Sequence, residues 1–207
     1  MILIQGKGVS NGVAIGPLYY YQRAKATITR YQVEDPEAEW NRFKAAQGTA
    51  IEQLGELAEK ARAEAGDEAA LLFETHQMMA EDMEYEEAIQ TAIQDEKLNA
   101  EAAVTDTAAQ FAEMFATMDD PYFQARAADV KDVSARIIAA LTGVAQGGIN
   151  SPVPVILAAD DLAPSETVQL DKSKILGFVT EADPDPAIRR SWPGPWAFRQ
   201  SSAWVTS

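Results

Sequence analysis

The 207-residue chain has no cysteine and a single histidine. The first absence excludes disulfides, thiolate zinc sites and cysteine nucleophiles, and the second excludes any multi-histidine metal centre. No run of about 18 apolar residues occurs, which argues against a membrane span. The opening MILIQGKGVSNGVAIG has a short apolar start but no basic segment followed by a long apolar one, so no secretory signal is expected. Its glycines do not form the strand, GxGxxG and helix arrangement of a dinucleotide site, and no phosphate-loop lysine and hydroxyl pair follows them. Basic residues are scarce: the formal net charge is -15. Nucleic acid and anionic membranes need a cationic face, so neither is an expected partner, and a basic protein suits the charge better.

Two apolar runs divided by a turn over residues 2–22 read as short strands. From Pro36 the period changes to three and four, through Trp40, Phe43, Ile51, Leu54, Leu57, Ala58 and Ala61, and Asp35 with Pro36 supplies an N-cap followed by proline at the first helical position. After Gly66 a second helix carries Ala69, Leu72, Phe73, His76 and Met79 on one face. A shorter piece runs through Tyr85, Ile89 and Ile93. A stripe of Val104, Ala108, Phe111, Phe115 and Met118 follows, then Asp119, Asp120 and Pro121 as a stop. The last helix presents Phe123, Ala127, Val130, Ile137 and Leu141 and ends near Gly143. Residues 36–143 therefore read as an all-helical unit with short antiparallel connections. Beyond it, 153–159 and 174–180 read as buried strands with a helix starting at Ser165 between them. Strands at both ends and helices in the middle imply one discontinuous α/β domain carrying a helical insertion.

Four features bear on chemistry, each with two readings. His76 is either a histidine at the edge of a helix seam or a contact residue beside exposed methionines, with Met78 outward and Met79 inward; the methionines alone could equally be core filling. Arg126, Asp129, Asp132 and Arg136 have the spacing of a surface salt-bridge ladder, and Arg126 could also anchor an acidic or phosphorylated group. Asp160 and Asp161 with Glu166 suit turn formation, or else metal binding or the orienting of a histidine.

GVSNGVAIGPLY at 8–19, LLFETHQMMAEDMEYEEAI at 71–89, DDPYFQARAADVKDV at 119–133, VILAADDLAPSETVQL from 155 and KILGFVT to 180 together resemble the N-terminal part of Enzyme I of the bacterial sugar phosphotransferase system, the phosphoenolpyruvate-protein phosphotransferase. The resemblance covers residues 6–181. It implies an α/β plus all-α fold: a discontinuous phosphohistidine-type α/β domain with an inserted four-helix subdomain that binds the carrier protein HPr. The parts would be 1–22 and 144–182 for the α/β domain and 23–143 for the HPr-binding subdomain. It also implies cytoplasmic phosphotransfer from phosphoenolpyruvate through a histidine to HPr, with magnesium and phosphoenolpyruvate held by a C-terminal domain of the parent and no cofactor in this part. Carried over by position, Asp67, Glu68, Leu71, His76, Met78, Met79, Glu84, Tyr85, Phe115, Phe123 and Arg126 resemble the HPr-docking surface. Two further readings are the Enzyme I-like region of a multidomain fructose or dihydroxyacetone phosphotransferase protein, and a non-catalytic protein-binding module.

The tail, residues 183–207, departs from that pattern. The family continues into a glycine-rich turn and a SHTAILAR-like helix bearing the phosphoacceptor, whereas this chain reads DPDPAIRRSWPG, without histidine. Reading permitted codons for 187–206 from the preceding third base allows HTAILARAMGIPAVVGLGN, whose histidine triplet would straddle Ala187 and Ile188. A frameshift after about residue 182 is therefore expected, leaving a chain without its phosphoacceptor and inactive in transfer. The tail's prolines and isolated tryptophans promise no replacement strand.

Overall fold

The computed structural model describes residues 7–8, 13–22, 27–144, 151–160, 162–180 and 197–199; the proposed histidine position at Ala187 and Ile188 lies outside them. The chain divides into two compact units, one of Ala24–Lys60 with Ala70–Gln146, the other of Met1–Arg23, Ala61–Ala69 and Gly147–Ser207.

The helical unit is built on most of α1 (Pro36–Ala65) and α2 (Asp67–Ala80), whose junction Ala61–Ala69 counts with the other unit, and on α3 (Met83–Gln94), α4 (Ala100–Ala116) and α5 (Pro121–Thr142). These are the four expected principal helices plus the shorter piece, α3. Local chemistry sets their ends. The Asp35 carboxylate accepts from the Ala38 amide at 3.0 Å, Asp82 caps α3 through Tyr85, and Asp120 caps α5 through Tyr122. Gly66 and Gly143 stop α1 and α5 with φ of 89° and 68°, where a side chain would be strained. Phe43, Leu54, Phe73, Ile89, Ile93, Val104 and Ile137 form the buried interior. Each such side chain contributes about 1.5–3 kcal/mol by leaving water. At Gly55, α1 and α2 approach so closely that an added Cβ would stand 3.1 Å from the Gln77 amide, which donates to the Ile51 carbonyl.

The start of α4 is capped from a distance. Asn99 makes no side-chain cap bond; its side chain instead binds Tyr31, Thr29 and Glu101, while Glu39 of α1 accepts the Ala100 amide at 2.6 Å. A carboxylate at that helix end also meets the positive pole of the helix dipole. Arg42 bridges Glu39 and Glu101 at 2.6 and 2.7 Å, and its guanidinium is held above the ordinary range by those hydrogen bonds.

The second unit is a sheet in the order β1-β5-β4-β3-β2, with β1 (Lys7–Gly8), β2 (Leu18–Tyr21), β3 (Val155–Ala159), β4 (Ile175–Thr180) and β5 (Ala197–Arg199). Strands β2 to β5 run parallel, and β1 is antiparallel to β5. The register places Tyr19, Leu157 and Phe178 side by side, and the buried cluster on that face includes Tyr21, Val155, Ala159, Leu162, Leu170 and Ile175. Strand β5 corrects the expectation that the tail adds no strand. A three-residue backbone needs no side-chain pattern to occupy the open edge of β4, because the ladder is made of amides and carbonyls.

Burial works to raise the Glu101 carboxyl, but hydrogen bonds from Arg42 and Asn99 overcome it and hold the group down to about 2. Because the folded value lies below the ordinary 4.5, this contribution is complete above that pH and fades as pH falls toward 2. Denaturant titrations should show the helical unit losing stability over that acid window. Glu101→Gln should flatten the acid limb and cost about 1–2 kcal/mol at neutral pH, as expected for a partly solvated charged pair.

A candidate docking face on the helical unit

Helix α2 turns Phe73, His76 and Ala80 inward, which leaves Leu71 and Met78 exposed and Leu72 and Met79 half-buried. Met78 therefore points out and Met79 in, as expected. The buried stripe is rotated by about one residue from the expected face, and this rotation decides the fate of the histidine. His76 has no exposed surface: its Nε2 lies 3.2 Å from Asp129 and its Nδ1 3.7 Å from Asp132, both on α5, while Phe73 meets the ring edge-on. His76 is thus corrected from a docking-surface residue to a seam residue. The salt-bridge ladder is corrected with it. Arg126 and Asp129 pair along the helix, at 3.2 Å; both aspartates also approach His76, and buried Arg136 donates to Gln53 of α1.

Tyr85 is also buried, at 4% exposure, so it presents almost no surface to a partner. Its hydroxyl lies 2.7 Å from Ser134 Oγ, and that serine in turn donates to the Val130 carbonyl at 2.6 Å. Ser134 has one hydroxyl hydrogen, so when it serves Val130 the Tyr85 hydroxyl must be the donor. Burial pushes the phenol up to about 12 against the smaller opposing effect of Ser134, so it stays a donor.

The expected positions on α4 and α5 lie together in a surface. The apolar stripe of α4 outruns its cover: Ala103, Val104 and Ala108 are buried, whereas Phe111, Phe115 and Met118 are only half-buried and Met114 is exposed. Phe115 stacks on Phe123 of α5 with centroids 6.4 Å apart, Tyr122 meets Phe123 edge-on at 5.5 Å, and the Arg126 guanidinium lies over the Tyr122 ring at 4.8 Å. Tyr122, Phe123, Leu71, Met78 and Met83 all stand more than 40% exposed. Beside this aromatic row a cavity of about 190 Å³ is lined by Met79, Tyr85, Phe111, Met114, Phe115, Val130 and Val133, with Asp82 and Glu84 at its polar edge. Asp67 and Glu68, also expected at the surface, are exposed in the first turn of α2, where Asp67 accepts from Arg62 at 3.1 Å.

The sequence reading missed Tyr122, Met83, Met114 and Phe111 as members of this face. The available signal was the α4 stripe itself, which continues apolar to Met118 with no matching stripe to cover it. Away from this face, Asp160 and Glu166 resolve as structural groups, while Asp161 lies outside the described residues. Glu166 accepts from Tyr21 at 3.0 Å and from the Ala163 amide at 2.7 Å, and Asp160 accepts from Tyr20. Among the described residues no group of three or more histidine or carboxylate side chains is placed to hold a metal, and no helix is long and apolar enough to cross a membrane.

Tyr85→Phe should cost about 1 kcal/mol of stability by chemical denaturation. Ser134→Ala should cost more, about 1–3 kcal/mol, because it strands a buried phenol donor.

The family model described as PEP-utilising enzyme, N-terminal, matches residues 5–126. Phosphoenolpyruvate-protein phosphotransferases of Priestia megaterium and Enterococcus faecalis are 37% and 38% identical, over 86% of this chain and 31% and 32% of their own lengths. The chain thus spans about a third of the curated relatives it matches. Among solved structures, an NMR structure of Enzyme I is 33% identical with a TM-score of 0.75, covering 91% of this chain and 77% of that one. The N-terminal domain of Enzyme 1 - Nitrogen, 23% identical over 95% of this chain and 83% of that one, shares the fold with a TM-score of 0.66. On these matches and this architecture, the chain belongs to the N-terminal family of PEP-utilising enzymes and corresponds to the N-terminal region of Enzyme I.

Proposed function

We propose that this chain recognises the phosphocarrier HPr through its helical unit and does not itself accept phosphate. The observation carrying the first half is the row of exposed Phe123 and Tyr122 with half-buried Phe115 and Arg126, beside an apolar cavity edged by Asp82 and Glu84. Exposed aromatic and methionine side chains supply area that is dehydrated on contact, while carboxylates around them favour a basic partner and speed its approach. The net charge of -15 acts in the same direction.

The second half rests on the single histidine. Phosphotransfer from phosphoenolpyruvate to a protein, the activity that the relatives' names state, calls in this reading for a nitrogen nucleophile that can meet the phosphoryl group and form a phosphoramidate of high transfer potential. His76 is enclosed, with both ring nitrogens against carboxylates. A phosphoryl group there would bring further negative charge to two aspartates. The same observation favours reading this chain as a carrier-binding module rather than a transferase. Magnesium and phosphoenolpyruvate enter only the activity of the intact protein, and no step of docking is routed through them.

Titration with isotope-labelled HPr should give saturable chemical-shift changes. Glu84→Lys should slow association and weaken its salt dependence, whereas Phe123→Ala should mainly speed dissociation, by about tenfold if the ring is a dehydrated anchor. Incubation with phospho-HPr should leave the intact mass of the chain unchanged. Absence of saturable binding at high micromolar protein refutes docking, and an acid-labile phosphate on the chain refutes the non-acceptor reading.

A further inference from the structure

Asp129 has two oxygens and uses them in opposite directions. Oδ1 faces inward, 3.2 Å from Nε2 of the enclosed His76, and Oδ2 faces outward, 3.2 Å from Nη1 of Arg126. The guanidinium is completed by Tyr122, whose hydroxyl accepts from Nη2 and whose ring lies beneath Cζ at 4.8 Å. We infer that His76 is a positioning residue that acts through Asp129 to fix the pose of Arg126 on the docking face. The inference rests on the docking reading for its consequence but not for its geometry.

A carboxylate only accepts, so the inward contact is favourable only while Nε2 carries a hydrogen; the neutral Nε2–H tautomer and the imidazolium both meet that condition. No ring nitrogen of His76 has a well-aligned hydrogen bond among the described residues, so the carboxylate contacts are what compensate this buried ring. Around the ring, Asp132 stands on the other side, Phe73 meets the edge, and one nitrogen of the buried cation Arg136 donates to Gln53. If the Nε2 hydrogen is removed, the inward side of the carboxylate loses the one favourable contact given for it among the described residues. The carboxylate then turns about its own bonds, and Oδ2 ceases to define where the guanidinium lies.

The chain's one histidine makes the test unambiguous. In the full chain, the Nε–Hε signal of Arg126, assigned by its loss in Arg126→Lys, should report an ordered side chain. It should become mobile in His76→Leu and return toward order in His76→Gln, whose amide can place a donor near the Nε2 position. With HPr added, His76→Leu should weaken binding about fivefold in the parent chain and leave Arg126→Gln unaffected, as residues acting through one contact must. An equally ordered Arg126 in folded His76→Leu overturns the inference, as does mobility that His76→Gln fails to reverse. If His76→Leu does not fold, the reciprocal measurement decides: Arg126→Gln, altered at the half-exposed end, must shift the His76 ring signals, and unchanged signals overturn the inference. Arg126 mobility that follows His76 in a chain showing no HPr binding leaves the positioning role standing and refutes the docking reading alone.

Discussion

One imidazole buried between two carboxylates joins α2 to α5, and the surface of the helical unit is best understood from the faces these helices turn toward it. Turning His76 toward Asp129 and Asp132 sets the rotation of α2, and that rotation leaves Leu71 and Met78 outside. On α5, packed chiefly against α4, Ala127 and Val130 turn inward while Tyr122 and Phe123 emerge. A hydrophobic seam alone tolerates sliding, since apolar contacts have little directional preference. A buried polar ring with two acceptors admits fewer registers, because a misplaced donor or carboxylate would be left without compensation.

Much of this was legible in the chain. The period of three and four located the helices, and Asp35, Asp120, Pro121, Gly66 and Gly143 marked ends that the structure keeps. Periodicity places a residue on an arc of the helix but does not say where within that arc the cover ends. His76 and Met79 were read onto one face, and about one residue of rotation separates full enclosure from half-burial. Family position assigned Tyr85 to the docking surface, yet its hydroxyl meets Ser134 across 49 residues of chain. A hydrogen bond between distant positions leaves no periodic trace. Arg126 to Arg136 shows the same limit: the spacing announced charges in sequence along one helix, but only the facing helix decided that both aspartates should also meet a histidine, Asp129 doing so while it pairs with Arg126.

In the α/β unit the continuous apolar runs announced β3 and β4 because a parallel strand is covered on both faces. The tail strand β5 was not visible because pairing at a sheet edge is a property of backbone amides and carbonyls, shared by sequences with no β-like pattern. Glu166 illustrates a related point. A carboxylate at the start of a short helix can suggest a ligand, but here Tyr21 and the Ala163 amide engage both of its oxygens.

The bond from Arg42 to the Leu141 carbonyl, 3.5 Å long, joins the first turns of α1 to the last turn of α5, so the helical insertion begins and ends at one place. This matters for how the sheet is assembled. Tyr20 and Asp160, at the ends of neighbouring parallel strands, are 140 residues apart in sequence. Closing a flexible loop of that length costs entropy that grows with the logarithm of its size. An insertion whose two ends are held together acts instead as a short link, so the entropy of joining β2 to β3 is far below that of closing a free loop of the same length.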